Sequence, residues 1–298
     1  MMEHGRPVAD DPARTASARA PHPGTTAAHA DVECAGLSHT GMVRSQNEDH
    51  FVIASMRKTL EVRGTNLDDV TIFQGLERAP GHLFVVADGV GGQVGGRLAS
   101  GLAIQTILEY LGEVVGCYQR MDVDGENEFL EQLTGAVERS HDRIQREFGG
   151  EKGPATTLTM IALLGPRAYF VHVGDSRAYL LRKGRLRQFT QDQTMGDVMV
   201  DIGVMTEESA RKGGLFNILA SSVGGDLSPS VGLIDLESDD MLLLCTDGLT
   251  RHLSDERITE ILTAAPTPSA SCQSLVDAAL HEGGKDNITT IVVRFRHD

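Results

Sequence analysis

Residues 156–190 read TTLTMIALLGPRAYFVHVGDSRAYLLRKGRLRQFT. Three β-branched or aromatic runs, 156–165, 167–175 and 176–184, follow one another with only Gly-Pro and Gly-Asp turn signals between them. A short fourth run, 185–190, follows the Lys183-Gly184 turn. Such runs read as consecutive strands.

Working outward, 32–40, 49–55 and 82–88 read as strands before this block, and 231–237, 241–248 and 287–296 as strands after it. Between Arg97 and Val115, Leu98, Leu102, Ile104, Ile107, Leu108 and Leu111 recur at helical spacing; Phe129, Leu133, Val137, Ile144 and Phe148 mark a second helix. Residues 191–225 read as a helical, Gly-interrupted flap, and 254–264 and 269–282 as further helices. The order is strands, two helices, strands, helices, strand, unlike the βα alternation of a parallel sheet. It predicts an α+β fold, mainly antiparallel, with helices outside the sheets. Residues 1–31 lack apolar periodicity and read as a disordered tail. A single domain is expected over 32–298, with 57–81 an elaborated polar loop.

Composition narrows the function. The chain has 298 residues, 40% of them hydrophobic, and a net charge of −15. It lacks the basic footprint of a duplex binder. Aromatics are 4% with no Trp, too few for a single-strand stacking platform. Cys34, Cys117, Cys245 and Cys272 form no CxxC pair, which excludes the usual zinc spacing and a disulfide framework. No apolar run reaches transmembrane length and no signal-peptide pattern opens the chain, so a cytoplasmic protein with reduced thiols is expected.

The acids are placed to a pattern. Asp88 ends the apolar run LFVVA, Asp247 follows MLLLCT, and Asp175 closes AYFVHVG. Asp49 stands at the mouth of one strand and Asp286 directly before another. One Asp-Gly alone is an ordinary turn. Five strand-end acids need compensation that the spacing of Lys and Arg does not offer, and divalent cations would supply it. All-oxygen ligands favour Mg²⁺ or Mn²⁺ over Zn²⁺. Two such ions about 3.5–4 Å apart can activate a water for attack on phosphorus.

Competing motifs fail. Val94 stands where GxGxxG from Gly89 needs glycine, and GGKD (283–286) is not a P-loop. Lys285 replaces the second His of HExxH, and Ser176 lacks the flanks of a nucleophile elbow. His172 reads as a packed histidine, Cys245 as an inert core thiol, and Met195, Met199 and Met205 as helix packing.

Six segments, VRSQNEDHF (43–51), FVVADGVGG (84–92), ATTLTMIAL (155–163), HVGDSRAYLLRKGRL (172–186), LLLCTDGLT (242–250) and GGKDNITTIVV (283–293), occur in the order found in type 2C metal-dependent Ser/Thr protein phosphatases. The chain resembles that family, and its bacterial members in particular through DGVGG. The resemblance implies two antiparallel β-sheets packed as a sandwich, flanked by α-helices on both outer faces, with a metal site at one end. It implies that Asp88 bridges two Mg²⁺ or Mn²⁺ ions, with the Gly89 carbonyl, Asp247 and Asp286 completing the first site. Asp49 serves the second, with Glu48 reaching it through a water, and Asp175 with Asp247 holds a weaker third ion. Arg44 binds the substrate phosphate, for which its planar fork is suited. The implied partners are phosphorylated Ser/Thr proteins, including a Ser/Thr kinase, acted on by a monomer with no nucleic acid and no membrane insertion.

Three departures from the family pattern stand out. Val90 replaces a His proposed as general acid in many relatives, leaving leaving-group protonation to water. Gln193 stands in Asp192-Gln193-Thr194 where DHS is frequent, and the flap reads ARKGGLFNILASSVGG (210–225) where bacterial relatives often carry His-Pro and Arg residues around the position of Asn217. A non-catalytic phosphoprotein-binding module on the same fold is the alternative, which missing metal acids would have favoured. A nuclease is disfavoured by the charge.

Overall fold

The structure, a computed structural model, describes residues 30–56, 81–91, 95–114, 123–149 and 153–297. The tail expected over 1–31 and the loop expected over 57–81 lie almost wholly outside the described residues. In chain order the elements are β1 (Ala30–His39), β2 (His50–Met56), β3 (Gly81–Ala87), β4 (Gly89–Val90), α1 (Gly95–Val114) and α2 (Val123–Phe148). Then come β5 (Ala155–Thr156), β6 (Leu158–Leu164), β7 (Arg167–Val173), β8 (Arg177–Arg182), β9 (Arg185–Gln188), α3 (Met195–Asp201) and α4 (Glu207–Lys212). A 3-10 turn (Leu215–Asn217), β10 (Ser230–Asp235), β11 (Met241–Cys245), α5 (Asp247–Thr250), α6 (Asp255–Ala264), α7 (Pro268–His281) and β12 (Ile288–His297) complete them.

The strands form two antiparallel five-stranded sheets, ordered β1-β12-β11-β8-β9 and β10-β7-β6-β3-β2. Between them lie Phe84, Val86, Ile161 and Leu163 of one sheet against Leu242, Leu244, Ile291 and Val293 of the other. The alternate residues are buried too. Leu83, Val85 and Ala87 pack beneath α1 and α2 with Ile107 and Leu133. Tyr179, Leu243 and Cys245 pack beneath α6 and α7 with Ile258 and Leu275. Successive side chains leave a strand on opposite faces. Because helices cover both outer faces, every position of a central strand meets apolar partners, which explains unbroken runs such as MLLLC.

Register brings the acids together. His50 pairs with Ala87, Val86 with Thr159, and Leu158 with Val173, so the start of β2 and the ends of β3 and β7 share one edge. Cys245 pairs with Thr290 and with Arg177, placing the end of β11 and the start of β12 at the matching edge of the other sheet.

Three boundaries differ from the sequence reading. The run 156–165 is interrupted at Thr157, which turns to Asp88: its N–H donates to the Asp88 carbonyl (2.9 Å) and its Oγ1 accepts from the Asp88 N–H (3.0 Å). Gly89 and Val90, just past the strand expected over 82–88, form a two-residue ribbon with β5. The strand over 241–248 stops at Cys245, because Thr246 takes up the position that starts α5 and Asp247 becomes its first residue.

Candidate metal centre

Asp49 is the most enclosed of the five acids, 4% exposed at the entry to β2. Thr246 and Thr289 donate their hydroxyls to its Oδ2 at 2.9 and 2.7 Å. Its Oδ1 is buried with no hydrogen-bond partner. Burial, opposed by those two hydrogen bonds, pushes its carboxyl up to about 7. Asp88 is packed round by protein, with only part of its surface open to the site. Burial and the charges of Asp49, Asp247, Asp175 and Asp286 hold its carboxyl well above the ordinary range. Asp247 lies within hydrogen-bond reach of Asp88, has a second orphaned buried oxygen, Oδ1, and is likewise raised, by burial first. Asp175 is raised to about 7 by burial and by Asp247. Carboxyls held in this state are poised to exchange protons for cations.

The backbone around Asp88 is equally constrained. A Cβ on Gly89 would stand 2.2 Å from the Gly96 carbonyl oxygen and 2.9 Å from that of Glu48. Gly89 and Gly96 therefore let α1 close directly on the acid's own turn. A Cβ on Gly96 would in turn stand 2.7 Å from the Gly89 carbonyl oxygen.

Arg44 and Glu48 sit on the segment joining β1 to β2. Arg44 Nη2 donates to Asp286 Oδ2 at 2.7 Å, and this hydrogen bond is the main reason its guanidinium is held more firmly protonated than usual. Glu48 donates its N–H to Asn287 Oδ1 (2.8 Å), and its carbonyl accepts from Ser100 (2.6 Å).

The fold thus brings together Arg44, Glu48, Asp49, Asp88, Gly89, Asp175, Asp247 and Asp286. Sequence reasoning passed over three supports. Thr246 and Thr289 hold Asp49. Asn287 spans the segment before β2, donating to the Thr40 and Gln46 carbonyls at 2.8 and 2.9 Å while accepting from Glu48. It also passed over Arg251, whose Nη2 lies 2.5 Å from Asp247 Oδ2. Position i+4 from Asp247 on a helical turn was the available signal.

His172 is a packed histidine, as read. It is fully buried, shares a hydrogen bond with Thr159, donates Nε2–H to the Gln191 carbonyl, and is lowered to about 4 by burial. Gln193 is a stitch between flap and sheet: its Oε1 accepts from Gly174 N–H and its Nε2 donates to Ser230. The flap beside the centre borders a cavity of about 650 Å³, lined by Asp175, Asp247 and Arg251 on one side and Arg211, Phe216 and Asn217 on the other.

The donor set fits hard divalent cations. It is all oxygen, and two of its buried oxygens have no protein partner, a state that is costly unless something else binds there. Among the described residues no three His, Cys, Asp or Glu side chains stand at ready-made metal-ligand spacing; the acids are near neighbours, and Arg44 pairs with Asp286 and Arg251 with Asp247.

Fold and site define the class: a four-layer sandwich carrying a carboxylate-rich, all-oxygen centre at one end. The chain belongs to the protein phosphatase 2C family, whose profile matches residues 58–282. Over 235 residues it is 34% identical to the serine/threonine protein phosphatase PstP of Mycobacterium tuberculosis, a match covering 78% of this chain and 42% of PstP. The chain therefore spans less than half the length of that relative. It is 30% identical over 240 residues to protein phosphatase PhpP of Streptococcus pneumoniae, covering 79% of this chain and 94% of PhpP. The crystal structure of the PstP catalytic domain in complex with two manganese ions is similar at a TM-score of 0.66 and 31% identity, over 90% of this chain and 99% of that one. Among the described residues no helix is long and apolar enough to cross a membrane.

Proposed function

We propose that this chain is a metal-dependent phosphatase of phosphoserine and phosphothreonine in proteins, working in the cytoplasm against a Ser/Thr kinase. The observation that carries the reading is the pair of buried, unpartnered oxygens, Asp49 Oδ1 and Asp247 Oδ1, in a centre built from five strand-end acids. Asp88, the Gly89 carbonyl, Asp247 and Asp286 would hold one Mg²⁺ or Mn²⁺, and Asp88 with Asp49 a second, Glu48 contributing through a water. Such ions supply a water of lowered pKa and positive charge for the transferring phosphoryl group.

The chain's own groups do the rest. Thr246 and Thr289 fix one oxygen of Asp49 and leave the other for the cation. Asn287 holds the segment that carries Arg44 and Glu48. One Arg44 donor, Nη2, is committed to Asp286, and the guanidinium has further donors for phosphate oxygens. Val90 carries no proton. The nearby imidazole of His252 is spent, donating Nδ1–H to the Gly248 carbonyl and accepting from Lys285 N–H at Nε2. The leaving oxygen therefore takes its proton from water.

The test is hydrolysis of a phosphothreonine peptide with Mn²⁺ and with EDTA, beside a nucleic-acid substrate. Activity should require Mn²⁺, be confined to the phosphopeptide, and vanish in Asp88→Asn and Asp247→Asn. Activity surviving in both variants would remove the site assignment. Metal binding without turnover on any phosphopeptide would favour the non-catalytic module.

A further inference from the structure

Arg251 follows the one-turn helix α5, four residues beyond Asp247, so its side chain lies over the acid that opens the turn. Nη2 is 2.5 Å from Asp247 Oδ2 and 4.0 Å from Asp175 Oδ2, and Nη1 is 3.9 Å from Asp286 Oδ2. One guanidinium faces carboxylates from three separate strand ends. Its strongest contact is with Asp247, and it is also the ion-pair partner of Asp175. These two acids are the pair expected to share a third metal ion.

We propose that Arg251 is a built-in third cation, which holds the Asp175–Asp247 edge so that the chain takes two divalent ions and not three. The inference rests on the metal-centre reading above. Charge supports it. Two divalent ions supply four positive charges against the five carboxylates and Arg44 pairs with Asp286, while Arg251 is the cation set against the Asp175–Asp247 edge. A third divalent ion would have to displace Arg251 from Asp247 or sit beside a group that does not deprotonate in proteins. The guanidinium also offers five donors in a rigid fork, which suits an edge built from several carboxylate oxygens. Unlike a hydrated ion it brings no exchangeable water, so this edge contributes charge and fixes its two acids without adding a hydrolytic water.

The experiment is equilibrium dialysis of the full chain against Mn²⁺ raised to millimolar levels, counting ions bound at saturation. The wild type should saturate at two, Arg251→Lys at two, and Arg251→Gln at three. Asp175→Asn should leave the wild-type count at two and return Arg251→Gln from three to two. Saturation of the wild type at three, of Arg251→Gln at two, or loss of an ion from the wild type on Asp175→Asn would overturn the proposal. A wild type that binds fewer than two ions would refute the metal-centre reading itself, and this proposal with it. If Arg251→Gln fails to fold, the wild type and its Asp175→Asn variant still decide between two ions and three.

Discussion

Replacing Asp49 by Asn should stabilise the metal-free protein at pH 8 while weakening its response to metal. The carboxyl is 4% exposed and is raised from 3.8 to about 7. A group whose folded value exceeds its unfolded one binds more protons when folded, so stability falls as pH rises between the two. For Asp49 the window runs from about pH 4 to about pH 7, and at pH 8 the full penalty applies, roughly 4 kcal/mol at 1.36 kcal/mol per unit. An amide removes the charge. Its Oδ1 can still accept from Thr246 and Thr289, but its NH₂ would take the place of the orphaned Oδ1, at about 1–3 kcal/mol. A net gain of about 1–3 kcal/mol remains, or a few degrees of melting temperature in a chain of this size. The assay is thermal unfolding of both proteins in EDTA at pH 8 and pH 5, then at pH 8 with Mn²⁺. At pH 5 the folded carboxyl is protonated and only about 1.6 kcal/mol of the penalty remains, so the variant should lose most or all of its advantage. With Mn²⁺ the wild type should gain far more than the variant. A variant less stable than wild type in EDTA at pH 8, or one that gains equally from Mn²⁺, would refute the reasoning.

Asn287→Ala removes three hydrogen bonds that hold the segment carrying Arg44, so KM for a phosphopeptide should rise at least several-fold and stability should fall by roughly 1.5–4.5 kcal/mol. Kinetics and denaturant melts would check both. Gly248→Ala would bring a Cβ to 1.9 Å from the Asn287 carbonyl oxygen, and backbone, not a flexible side-chain end, must move. A loss of about 1–3 kcal/mol or more is expected, read by chemical denaturation. Thr289→Val takes the 2.7 Å donor from Asp49 and should lower Mn²⁺ affinity about 10-fold or more, measured by calorimetric titration. Cys245 is fully buried and its thiol is pushed up to about 12, so in the native protein it should resist alkylation that half-buried Cys34 accepts sooner; peptide mapping after a timed iodoacetamide pulse distinguishes them.

The layers of the fold were legible because each has a local cause. Tight Gly-containing turns between runs at 156–190 force strand to follow strand, and helical spacing in 97–115 marks α1 through Ile104, Ile107 and Leu111 on its buried face, although Leu98 and Leu108 of the same pattern are exposed. What stayed hidden was set by single long-range hydrogen bonds. Nothing in TTLTM says that Thr157 leaves the strand, since its partner is Asp88, 69 residues away. Periodicity also extends β11 through Asp247, whereas capping geometry at Thr246 ends it sooner.

The site shows the same division. Its carboxylates announce themselves because an acid terminating a greasy run is physically conspicuous. Their supports do not: Thr246, Thr289 and Asn287 are ordinary strand-end residues until the sheets meet and set them against Asp49 and the Arg44 segment. Arg251 is the sharpest case. In DGLTR it reads as one more surface cation, and only the convergence of β7, β11 and β12 at one end of the sandwich puts three carboxylates around it. Burying acids at the ends of strands from two sheets creates a repulsion that no single strand contains. The groups that offset it must come from residues already at the same edge, and a helical turn opening directly after β11 can present an arginine there without lengthening any loop.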